Sequence, residues 1–209
     1  MENGNIRDAN CLLNTALRLL VVSDRTPLSS QSAHTVRFSW SQHDAIGRKS
    51  NTDNQNIGPF MYSRGAVLDR GVQPNFGPKS EVRAIILYNA ALAAHLLANV
   101  TAKSEAMNRA KSLYILARHV LRTRRGGGVN SSLCNKHFFH LAILNNLGQI
   151  NYELTEFALA RAYFANAKQM ILFLATCRQS EEDQIYSKSD LKGMCGNAMM
   201  EMPTAAACA

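Results

Sequence analysis

The stretch LNNLGQINYELTEFALARAYFANA, Leu144 to Ala167, puts a small residue wherever two helices would touch, and this constrains the fold more than any other feature of the chain. Gly148 precedes Ala160 by 12 residues, and Phe164 and Ala167 follow Ala160 at spacings of four and three, along one helix face. An earlier stretch repeats the pattern. Aligning ILNNLGQINYEL (143–154) with ILYNAALAAHLL (86–97) sets Asn146 on Asn89, Gly148 on Ala91 and Tyr152 on His95. In the helices that follow, Ala160, Phe164 and Ala167 fall on Ala110, Tyr114 and Ala117. A small side chain lets two helix axes approach, and the ring fills the space beside the contact. The expected fold is therefore all-α, built of antiparallel helix hairpins in about two repeats.

Start and stop signals place the helices. Ser80-Glu81 opens the first, Ser104-Glu105 the second, and Thr155-Glu156 caps the fourth, with the third running through FFHLAILNNLGQINYEL. Arg-Arg-Gly-Gly-Gly ends the second by 128. Residues 23–80 hold four of the five prolines with weak periodicity, so a loop-rich, partly disordered N-terminal region is expected. Before it, Leu12, Leu13, Ala16, Leu19 and Leu20 share one face of a short helix. FMYSRGAVLD (60–69) reads as extended, but a lone strand needs a partner. A weaker amphipathic stretch spans 184–200. The expected division is 1–80, an irregular region; 81–178, the helical repeat domain; and 179–209, a polar tail with a capping helix.

The residues 141–174 resemble a tetratricopeptide (TPR) repeat, whose helix pair carries N-L-G-x-x-x-Y and then A-x-x-x-F/Y-x-x-A. Here these are Asn146-Leu147-Gly148 with Tyr152, and Ala160, Phe164 and Ala167. Residues 84–121 resemble a degenerate copy. Leu144 stands at the usual tryptophan position and Leu172 at that of the closing proline. The small-to-small distance is 12 residues in the second unit but 19 in the first, from Ala91 to Ala110. The resemblance implies a groove lined by the first helix of each unit and filled by a protein or peptide partner. Tyr88, Leu92 and His95 would then face Asn145, Gln149 and Tyr152. Because such arrays need about three units, a flanking helix or a second copy of the chain, making a homo-oligomer, would complete the stack.

Composition narrows the function. The N-terminus lacks a basic start followed by an apolar run, and the longest apolar stretches, such as MILFLATC (170–177), are far too short to span a bilayer. A cytoplasmic protein without membrane contact is expected. The five cysteines are scattered with no CxxC pair, which argues against a disulfide framework. Of the net charge of +8, residues 103–136 contribute +7, eight basic groups against Glu105. Arg109, Lys111, Arg118, Arg122, Arg124 and Arg125 form a basic patch that fits a phosphate backbone, or simply a solvated helix end favoured by the helix dipole.

No reaction centre emerges. In GVQPNFGPKS (71–80) five residues separate the glycines where a phosphate loop has four, and Pro78 removes an amide. Cys134, His137 and His140 are three apart, so they drift around a helix axis and match no zinc spacing; neither a metal nor another cofactor is expected. No nucleophile sits in a recognisable elbow. The sequence thus predicts a non-enzymatic interaction module, scaffold or adaptor. Its alternative is a basic helical protein that binds RNA through 109–125.

Overall fold

A computed structural model describes residues 38–40, 61–68, 79–122, 132–176 and 188–201. Five α-helices lie among them: α1 Lys79–Thr101, α2 Ser104–Arg122, α3 Ser132–Glu153, α4 Phe157–Thr176 and α5 Lys188–Ala198. The architecture is helical, with one short pairing of β1 Phe38–Trp40 and β2 Ala66–Leu68. β1 supplies the partner that the extended reading of 60–69 required. The N-terminal helix expected near 12–20 lies outside the described residues.

The described residues group into two compact units, 65–68 with α1 and α2, and 61–64 with α3, α4 and α5. The two hairpins fall in separate units, and each unit takes in part of the first 80 residues.

In the first unit α1 turns into α2 at Ala102, whose φ of 53° is left-handed. Its N–H donates to the Ala98 carbonyl at 2.7 Å, a single closing bond of the αL type. The Thr101 hydroxyl also donates back to the Leu97 carbonyl, one turn earlier, at 2.7 Å. Glu105 in the first turn of α2, with His119 and Arg122 in its last, follows the helix dipole. α2 buries Met107, Ala110, Tyr114 and Ala117, a single stripe at spacings of three and four. α1 is buried around most of its circumference, including every residue from 90 to 95. Between Val82 and Thr101 it is also long and apolar enough, by length and composition alone, to cross a membrane. The expectation that the longest apolar stretches are too short for a bilayer does not hold for this helix, whose apolar length is broken only by single polar residues. Here its Ala84, Leu87, Tyr88 and Ala91 are core.

In the second unit α3 and α4 form the other hairpin. Three contacts nest around its turn: Tyr152 with Phe157, Gly148 with Phe164, and His137 with Phe173. Pairs that widen symmetrically about one turn define an antiparallel pair. The turn is a Schellman closure, with Glu156 N–H donating to Asn151 carbonyl at 2.8 Å and Thr155 N–H to Tyr152 carbonyl at 3.0 Å. Thr155 sits at φ 60° as its left-handed residue. Its hydroxyl turns back to the Leu154 carbonyl at 2.6 Å, and Glu156 accepts the first bond of α4, from Ala160 N–H at 3.0 Å. The N-cap of α4 is therefore Glu156 alone. Thr155, expected to share that role, instead ends α3. α4 buries Ala160, Phe164, Ala167 and Leu174. α3 is buried at every residue from 141 to 151.

The unequal spacings of 19 and 12 have a geometric cause. Ala91 lies 11 residues before Ala102 and Ala110 eight after it, whereas Gly148 lies seven before Thr155 and Ala160 five after. The first hairpin is longer by four residues on one helix and three on the other, about one helical turn on each. One added turn on both sides returns the small residues to the same face.

Candidate functional site: asparagines that hold main chain

Gly148 lies directly beneath the Phe164 ring, where a β-carbon would overlap it and reach Cζ at 2.8 Å. In the first unit the Tyr114 ring meets Tyr88 at 5.7 Å and His95 at 6.1 Å, one turn before and one turn after Ala91. Ala91, Ala110, Ala117, Ala160 and Ala167 are all buried. The eight repeat-packing residues therefore sit at helix contacts inside their own units.

The residues expected to line an open groove are closed over. Tyr88, Leu92 and His95 are buried in the first unit. Asn145 and Gln149 are fully buried in the second, and Tyr152 is half-buried against Phe157. What covers Asn145 is the chain itself. The Asn197 carboxamide of α5 donates to Asn145 Oδ1 at 2.7 Å, and Asn145 Nδ2 donates to Asn146 Oδ1 at 3.2 Å. The side of α3 bearing Asn145, read from the sequence as free to bind, is occupied.

The occupant of that side includes Tyr62. Tyr62 N–H donates to Asn146 Oδ1 at 2.9 Å, and Asn146 Nδ2 donates to the Tyr62 carbonyl at 2.9 Å. Both main-chain groups of one residue meet one carboxamide, so that residue presents them to the same side, as a strand residue does. The Tyr62 ring is fully buried edge-on to Phe138, centroids 5.5 Å apart. Two residues on, Arg64 Nε lies 3.6 Å from Asp190 Oδ2 of α5.

The first unit does the same with Asn89, the residue that aligns with Asn146. Ala66 N–H donates to Asn89 Oδ1 at 2.9 Å, and Asn89 Nδ2 donates to the Ala66 carbonyl at 2.8 Å. The sequence signal for this pair was present. One carboxamide recurs at one register of the two aligned helices, and a buried polar group needs a partner. Tyr62, Arg64, Asp190 and Asn197 carried no such signal.

Four carboxamides crowd one helix. Asn145, Asn146, Gln149 and Asn151 are all fully buried. Asn151 Nδ2 donates to the Leu147 carbonyl at 2.6 Å, and Gln149 Nε2 to Glu153 Oε1 at 2.8 Å. Among the described residues Gln149 Oε1 and Asn151 Oδ1 meet no hydrogen-bond donor, an arrangement costing about 1–3 kcal/mol per group.

The basic patch is only partly described. Arg109 and Arg122 are exposed on α2, Lys111 and Arg118 are half-buried, and Arg124 and Arg125 lie outside the described residues. Among the described residues no three His, Cys, Asp or Glu side chains gather as metal ligands would. Compared with known protein families, with curated proteins and with solved structures, the chain matches none.

Proposed function

We propose that this chain is a non-enzymatic, TPR-like interaction module in which each unit holds extended protein main chain against its inner helix, α1 in the first and α3 in the second. One observation carries the reading. Asn89 and Asn146, at matching positions of two hairpins, each engage the N–H and carbonyl of a single extended residue. A carboxamide used this way grips main chain whatever the side chain, which is how extended segments gain affinity in strand addition. The inner-helix polar groups also suit holding better than reacting, because Asn and Gln donate and accept hydrogen bonds but neither titrate nor attack.

The test compares wild type with an Asn89→Ala plus Asn146→Ala variant in affinity capture from native extract, with retained proteins quantified by mass spectrometry. The expected outcome is a protein kept by wild type and lost by the variant while circular dichroism shows the variant still helical. Equal retention by both would sink the reading. So would retained RNA that disappears on Arg124→Ala plus Arg125→Ala, which would favour the basic patch.

A further inference from the structure

α5 has an unusual inward face. Its buried residues are Asp190, Met194 and Asn197, on one stripe at spacings of four and three, and two of the three are polar. Each polar end meets the region of Tyr62. Asp190 reaches Arg64, and Asn197 begins a chain of donors that runs through Asn145 and Asn146 to the Tyr62 carbonyl. In that chain every amide polarises the next, so the bonds support one another. α5 has only 11 residues, too few to be stable alone, and so depends on these contacts.

Residues 61–65 carry no regular secondary structure. In the second unit the contacts that hold the segment include the Asn146 carboxamide, the Phe138 ring and the Asp190 carboxylate. None of these contacts requires that Tyr62 and Arg64 belong to the same chain as α3. Alternation along an extended segment puts side chains i and i+2 on one side, which matches an aromatic residue and an arginine two apart.

We propose that α3 and α5 form a seat for an extended segment of the pattern aromatic-x-arginine. The chain fills this seat with its own Tyr62 and Arg64, and a partner protein's segment of the same pattern takes their place. The proposal rests on the adaptor reading for one point only, that the occupant can come from another protein. Asn146 supplies affinity through the main chain, Phe138 selects a ring, and Asp190 selects the arginine. Occupancy in cis lowers the apparent affinity for a partner by the fraction of time the seat is empty.

The probe is a fluorescent peptide of residues 58–67, GPFMYSRGAV, titrated against the full chain by anisotropy. A chain with Tyr62→Ala plus Arg64→Ala, whose own occupant is weakened, should bind it at least about tenfold more tightly than wild type. Adding Asn146→Ala should take that gain away. Asp190→Lys should reverse the preference toward a peptide with glutamate in place of its arginine. A folded double variant that binds no more tightly than wild type overturns the proposal, as does equal binding of a peptide lacking both tyrosine and arginine. If the double variant loses helical circular dichroism, saturating peptide should restore it, and failure to do so overturns the proposal equally.

The two readings fail separately. Peptide binding without any extract protein captured through Asn146 leaves the seat intact and removes the adaptor. Capture that depends on Asn146 without peptide binding keeps the adaptor and removes the aromatic-x-arginine pattern.

Discussion

Both main-chain groups of Tyr62 depend on one side chain, and the stability carried there can be estimated. Replacing Asn146 with alanine leaves the Tyr62 N–H, the Tyr62 carbonyl and Asn145 Nδ2 each short of a partner in a buried setting. At about 1 kcal/mol or more for each stranded group, Asn146→Ala should lower unfolding free energy by about 2–4 kcal/mol in urea titrations. The pairs at Asn89 are only part-buried, so water can replace the lost bonds. Asn89→Ala should therefore cost about 1–2 kcal/mol, and an equal or larger loss would contradict the burial argument. A second residue-scale test concerns Gly148. A single methyl at that position must displace the Phe164 ring, so Gly148→Ala should destabilise by about 1–3 kcal/mol despite alanine's better helix propensity. Adding Phe164→Leu should recover part of that loss. An unchanged melting temperature for Gly148→Ala would refute the close approach of α3 and α4.

The hairpin turns show what an element can hide. Thr155 is β-branched and left-handed, a conformation costing about 1–2 kcal/mol for a residue with a β-carbon. Glycine removes that strain but frees the unfolded chain, at a loss of about 0.4–1 kcal/mol. Thr155→Gly should therefore raise stability by about 0.5–1 kcal/mol, and Ala102→Gly by less, because alanine is not branched. A drop in melting temperature for Thr155→Gly would mean that its hydroxyl bond to Leu154 matters more than the strain. The helices themselves were legible from periodicity: α2 begins at Ser104 as read, and α1 begins at Lys79, one residue from the Ser80 expected. The match of Asn89 with Asn146 was legible too, as a register. What they hold was not. Tyr62 lies 84 residues from Asn146, and Asn197 lies 52 from Asn145. Local periodicity cannot report partners at that separation. The inward face of α5 sets Asp190 and Asn197 beside Met194, so its amphipathic signal over 184–200 was weak and said nothing of what those polar residues meet.

At the scale of the whole molecule the question is whether its charge or its carboxamides do the binding, and salt separates them. The chain carries +8, with +7 of it in 103–136, so a phosphate-binding mode has ample charge. If the six basic side chains from Arg109 to Arg125 each met a phosphate of single-stranded RNA, log affinity would fall with log salt at a slope of about −4. From 50 to 200 mM salt that is a loss of about 300-fold. In a segment seated by Asn146, Arg64 pairs with Asp190 as an ion pair and the bonds to the Asn146 carboxamide are uncharged. Its slope should be near −1 or shallower, a change of about fourfold or less over the same range. The measurement is an anisotropy titration of the 58–67 peptide and of a single-stranded RNA at several salt concentrations. The expected outcome is a shallow slope for the peptide, flattened further by Asp190→Ala, with RNA bound only at the lowest salt. Tight RNA binding at 200 mM salt, lost on Arg124→Ala plus Arg125→Ala and untouched by Asn146→Ala, would assign binding to the charge. The carboxamides would then serve only to hold Tyr62 and Ala66 in place within the fold.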